Sequence, residues 1–133
     1  MTLEEKTRLC VLAADSKKAT DIVVLNVQPL STITDRFLIC SGASDRQVRA
    51  IADAIEEQLL QSGVRPLAIE GYQTGSWILI DCADLVIHIF DEATRRFYDL
   101  ERLWSRAERL EVPGVAAPAA LPVPPFLAEE REL

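Results

Sequence analysis

A chain of 133 residues that is 49% hydrophobic and 26% charged has the length of one domain and can bury a real core, which excludes wholesale disorder. Its net charge of −7 argues against a nucleic-acid grip, because the arginines are mostly interleaved with acids, as in "RRFYDLERLWSRAERLE", rather than gathered into a basic patch. An acidic chain is better matched to a basic protein partner.

Cys10, Cys40 and Cys82 lie far apart with no CxxC or Cys/His spacing, so they indicate neither a disulfide framework nor a zinc site. Buried free thiols in a reducing compartment are the expectation. The opening "MTLEEKTRLC" is charged, lacks an apolar signal core, and is unlike an Arg- and Ser-rich import leader. No apolar run approaches the ~18 residues of a membrane span. A cytoplasmic location with no membrane association follows.

In chain order, Thr2 and Glu5 offer a capping box, and Leu9, Leu12 and Ala13 give part of one face of a helix over about 3–19. "DIVVLNV" (21–27) is β-branched and apolar, a buried strand. Pro29, Ser31 and Thr32 mark a connection to a second strand, "DRFLICSG" (35–42). The clearest helix follows: Ser44 and Gln47 as capping box, Val48, Ile51, Ala52, Ile55 and Leu59 as apolar stripe, Gly63 as stop. A short strand near "PLAIEG" comes next, then "WILIDCADLVIHIF" (77–90), then a helical region from 92 to about 110. Asp91 can cap that region, and Asp99 can re-cap it midway, giving two short helices. Residues 112–133 hold five of the seven prolines and no periodic apolar face, and read as a Pro/Ala-rich flexible or extended tail after a domain of residues 1–111. The order α-β-β-α-β-β-β-α predicts an α/β domain with a mixed sheet and flanking helices.

The stretch 77–90 reads as a tight antiparallel hairpin with Cys82-Ala83 as a two-residue loop. In that register Asp81 faces Asp84, Leu79 faces Val86, and Trp77 faces His88. Alternation puts Ile78, Ile80, Leu85, Ile87 and Ile89 on one face and Trp77, Leu79, Val86, His88 and Phe90 on the other. The first face is aliphatic. The second combines apolar rings with polar handles, as docking surfaces do. On pattern alone the favoured reading is that helices cover both faces and His88 is a satisfied core histidine; a docking face is the alternative.

Enzymatic readings fit less well. "ICSGAS" resembles the glycine-serine turn of the nucleotidyltransferase fold, where a helix N-terminus at Ser41-Gly42 would hold phosphate. That chemistry needs strand carboxylates for a divalent metal. Asp81 and Asp84 straddle a turn, and no D-x-D or D-x-E lies on a strand. No serine or cysteine is placed beside His88 by a nucleophile motif, and one histidine without clustered cysteines is a poor metal site. No catalytic residue, cofactor or metal is expected.

"DRFLICSGASDRQVRAIADAIEE", "EGYQTGSWILIDCADLVIHIF" and "RRFYDLERLW" resemble, in order and spacing, the bacterial ribosomal silencing factor (RsfS, iojap-like) family over residues 3 to about 107. The resemblance implies a nucleotidyltransferase-like fold without that activity. It implies attachment to ribosomal protein fourteen of the large subunit, a block on subunit joining, and lower translation when nutrients run short. It favours the docking-face reading, with Trp77, His88 and Tyr98 as central anchors, Leu79 and Phe90 on the same face, and Arg95 and Glu101 as polar rim. Phe97, Leu100 and Trp104 follow the i, i+3, i+7 rule and are assigned to the core. A homodimer is favoured by the apolar content, the β-rich middle and the resemblance. The family often carries glycine in the hairpin turn; Ala83 there implies a turn without positive φ. The Pro-rich tail lies outside the resemblance.

Overall fold

The computed structural model describes residues 1–111. The first helix, α1 (Leu3–Ser16), begins in the expected capping box, with the Thr2 and Glu5 side chains each accepting from the other's backbone N–H. It stops earlier than the periodicity implied. Lys18 turns into positive φ, and the first strand, β1, already starts at Thr20. Leu12, expected on the apolar face, is exposed; Cys10, Val11, Ala13 and Ala14 are the buried apolar residues, with Thr7 buried beside them.

β1 (Thr20–Asn26) and β2 (Arg36–Gly42) pair antiparallel, and α2 (Asp45–Gln61) buries the whole predicted stripe from Val48 to Leu59. The cap of α2 differs from a simple box. Ser44 Oγ accepts from Gln47 N at 3.1 Å, but the Gln47 side chain accepts from Ala43 N and donates to the carbonyls of Lys17 and Lys18. Gln47 thereby ties the start of α2 to the end of α1. Gly63 takes the left-handed conformation just past the helix, as its position implied.

β3 (Ala68–Glu70), β4 (Trp77–Asp81) and β5 (Leu85–Asp91) follow, then α3 (Glu92–Tyr98), α4 (Leu100–Leu103) and β6 (Glu108–Leu110). The six strands form one sheet in the order β3-β4-β5-β2-β1-β6, parallel between β2 and β5 and antiparallel elsewhere. The fold is α/β with a mixed sheet, as expected. β6 was not expected: a three-residue strand in a charged segment carries no usable alternation, and only its pairing with β1 defines it. The predicted tail lies outside the described residues.

The sheet separates two apolar layers. Under α1 and α2 lie Ile22, Val24, Leu38, Cys40, Ile78, Ile80, Leu85, Ile87 and Ile89. On the other side Val23, Leu25, Ile39 and Phe90 pack with Phe37, Trp77, Leu100, Trp104 and Ala107. The two faces of 77–90 therefore sort as alternation predicted. All three cysteines are buried free thiols, and burial pushes Cys10 and Cys40 up to about 12 and Cys82 to about 11, which keeps them protonated near neutrality. Among the described residues no helix is long and apolar enough to cross a membrane.

Candidate partner-docking surface

The hairpin register is shifted by two residues from the expected one. Asp81 lies opposite Val86, Leu79 opposite His88, and Trp77 opposite Phe90. The connection is longer than a two-residue loop: Cys82 N donates to Leu85 O at 2.9 Å, and Asp84 N to Cys82 O at 2.9 Å. Ala83 sits at φ 69, against the expectation of a turn without positive φ, and its N–H donates to Asp81 Oδ1 at 2.8 Å. Because the shift is even, every side chain keeps its predicted face. Asp84 leaves the turn to pair with Lys6 Nζ of α1 at 2.7 Å, so both hairpin carboxylates serve the fold.

The second face carries a chain of rings. Trp77 stacks on Phe90 at 4.9 Å between centroids and tilts against Tyr98 at 4.7 Å. The Trp77 indole N–H donates to His88 Nδ1 at 3.1 Å, reaching it diagonally across the strands. Phe37 stands edge-to-face with both His88 and Trp104, each at 5.0 Å. Tyr98, 49% exposed, brings the chain of rings to the surface, where Phe97 stands edge-to-face with it at 5.1 Å; Trp77 and Leu79 are half-buried. His88 is 5% exposed and Phe90 fully buried. Neither can be a surface anchor: they underlie Trp77 instead. Burial lowers the His88 pKa from 6.5 to about 4, so the imidazole is neutral near pH 7.

The placement of Trp77 depends on the loop before it. Gly71 has φ 81, and a Cβ there would stand 2.0 Å from the Trp77 carbonyl oxygen. Ser76 O accepts from Asp91 N at 2.9 Å, closing the hairpin end against the start of α3.

At α3, Asp91 Oδ1 caps Thr94 N at 2.7 Å, as its position implied. Asp99 ends the helix in the left-handed region at φ 49, ψ 55, and α4 begins without a side-chain cap. This break divides residues 92–103 into two short helices and rotates their faces. Leu100 and Trp104, both beyond it, pack inward as expected. Phe97, before it, is 81% exposed, which corrects its assignment to the core. Phe97, Tyr98 and Leu103 instead rim an open depression of about 620 Å³, with Arg96, Asp99 and Arg102. Sequence spacing could not show this, because helical periodicity does not carry across a left-handed residue.

Arg95 is also not a rim charge. Its side chain is 11% exposed, with Nε donating to Glu101 Oε1 at 2.7 Å and Nη1 to Ser41 Oγ at 2.7 Å. Arg95 and Glu101 thus brace the α3–α4 corner against β2. Ser41 and Gly42, the candidate phosphate site, are buried; Ser41 is occupied by Arg95, and the Ala43 and Gln47 amides by side chains at the helix start. Among the described residues no three His, Cys, Asp or Glu side chains gather as a metal set.

Residues 1–125 match the family described as ribosomal silencing factor during starvation. The chain belongs to this family. It is 42% identical over 115 residues to the ribosomal silencing factor RsfS of Halalkalibacterium halodurans, covering 86% of this chain and 98% of that one. It is 34% identical over 92 residues to the mouse protein named mitochondrial assembly of ribosomal large subunit protein 1, covering 67% of this chain and 40% of that one. A crystal structure of a Chromobacterium violaceum protein superposes with a TM-score of 0.78 at 32% identity, over 88% of this chain and 96% of that one. The match to the silencing factor family runs to residue 125, past residue 107 where the motif resemblance ends.

Proposed function

We propose that this chain is a binding protein, not an enzyme, which docks on the large ribosomal subunit through a basic protein, ribosomal protein fourteen, and blocks joining of the small subunit. Translation would thereby be repressed when nutrients are limiting. The observation that carries this reading is the ring chain that comes to the surface at Trp77 and Tyr98, on a braced corner, in an acidic member of the silencing factor family. Aromatic anchors of this kind dominate interface energetics, and the charge sign suits a basic partner. The mouse relative's name points to the same subunit. We assign Trp77 and Tyr98 as anchors with Leu79 beside them, His88 and Phe90 as their support, and Arg95 and Glu101 as the corner brace.

Sedimentation with purified large subunits tests the proposal. Truncating a central aromatic anchor typically costs about 2–4 kcal/mol, so Trp77→Ala and Tyr98→Ala should weaken binding roughly 30-fold or more while the chain stays folded. Wild-type binding by both folded variants would place the surface elsewhere. The competing reading, a nucleotide-binding enzyme using Ser41-Gly42, predicts a nucleotide-dependent rise in melting temperature. Ser41 is buried under the Arg95 guanidinium and the Ala43 and Gln47 amides are engaged within the chain, so no such rise is expected.

A further inference from the structure

The docking surface contains one group that packing does not explain. His88 is buried among Phe37, Trp77 and Phe90, where a phenyl ring would fill the space without desolvating two ring nitrogens. Nδ1 accepts from the Trp77 indole at 3.1 Å, whereas Nε2 is buried and has no hydrogen-bond partner. An indole N–H is a donor only. The imidazole must therefore offer a lone pair at Nδ1, which places its single proton on the unpartnered Nε2. One nitrogen is left unsatisfied so that the other can hold Trp77. Buried polar atoms without partners are rare, and this one is explained by its neighbour.

We infer that His88 is a positioning residue, resting on the proposed docking surface: as the neutral Nε2-protonated tautomer, it fixes the plane of the Trp77 indole for the partner. The indole is then held on three sides. Phe90 stacks beneath it, Tyr98 leans on it at 4.7 Å, and His88 takes its N–H. Without the acceptor the ring contacts remain, but the indole is free to turn its N–H toward water. The partner would then have to order the ring on binding, a cost typical of an immobilised side chain and equivalent to roughly a three- to tenfold loss of affinity.

The test is nitrogen-15 NMR of the full chain, combined with large-subunit binding. In the wild type, the His88 ring nitrogens should show the Nε2-protonated tautomer, and the Trp77 indole proton should exchange slowly with solvent. A proton on Nδ1 would overturn the inference without any variant being needed. His88→Phe keeps an aromatic ring but removes the acceptor. It should speed indole exchange by roughly tenfold or more and weaken binding roughly three- to tenfold. His88→Asn, which offers an oxygen near the Nδ1 position, should recover part of both. Unchanged indole protection in a folded His88→Phe chain overturns the positioning role. So does wild-type binding by His88→Phe when Trp77→Ala is impaired. If Trp77→Ala itself binds normally, the docking surface fails, while the NMR result still decides who holds the indole.

Discussion

Ala83 occupies a backbone conformation that costs an L-residue roughly 1–2 kcal/mol, and only glycine takes it freely. Ala83→Gly relieves that cost but loosens the unfolded chain, so a net gain of about 0.5–1 kcal/mol in urea unfolding is expected. His88 sets a second expectation. Its pKa falls from 6.5 to about 4 on folding, with burial as the cause. The unfolded chain therefore binds more protons between these values, and stability drops as pH falls through that window. Near pH 7 the contribution is almost fully present, and by pH 5 about 2 kcal/mol of it is gone. Urea midpoints at pH 7 and pH 5 should differ accordingly in the wild type and far less in His88→Phe. Glu4 and Asp45 are exposed acids held below their usual range by Arg36 and Arg49, so any loss from their protonation falls mainly below pH 5, outside the pH 7 to pH 5 comparison.

The α3–α4 corner behaves as a braced element rather than a charged rim. Removing Arg95 leaves the partly buried Glu101 without its partner and Ser41 Oγ without its donor. Arg95→Ala is expected to cost roughly 1–3 kcal/mol of stability, visible as a lower unfolding midpoint. A change confined to the salt dependence of binding would show instead that the brace carries little. The four long strands β1, β2, β4 and β5 and the helix α2 were legible in sequence because their apolar spacing is regular, whereas the three-residue β6 was not. The faces of 77–90 were legible even though the register was not, since a shift by two preserves alternation. The turn itself was opaque: the strained Ala83 carries no compositional mark. The break at Asp99 into two short helices was legible, but its left-handed backbone was not, because an aspartate at positive φ looks like any helix-start aspartate. Phe97, Arg95 and Glu101 were misplaced together with it.

Across the whole molecule, the sheet has β3 and β6 as its outer strands, and β6 covers the edge of β1 along Val24, Leu25 and Asn26. An uncovered edge strand invites pairing with another chain. A chain ended after Ala107 should therefore show more concentration-dependent association in light scattering than one ended after Glu111. The two layers of the core also differ in the span of sequence they draw on. The layer under α1 and α2 is built mainly from residues between Cys10 and Ile89, whereas the ring layer also needs Leu100, Trp104 and Ala107.

That ordering has a consequence for biosynthesis. Translation delivers the helical layer, the sheet centre and the unshielded rings before it delivers the residues that roof the rings and close the β1 edge. A nascent chain that has emerged only as far as Asp91 presents Phe37, Trp77 and Phe90 without Leu100 and Trp104, and β1 without β6. Exposed apolar faces and open strand edges are the features that make partly made domains prone to misassembly. The interval before residues 100–110 join the sheet and the ring layer is therefore the one in which the growing chain is most open to misassembly.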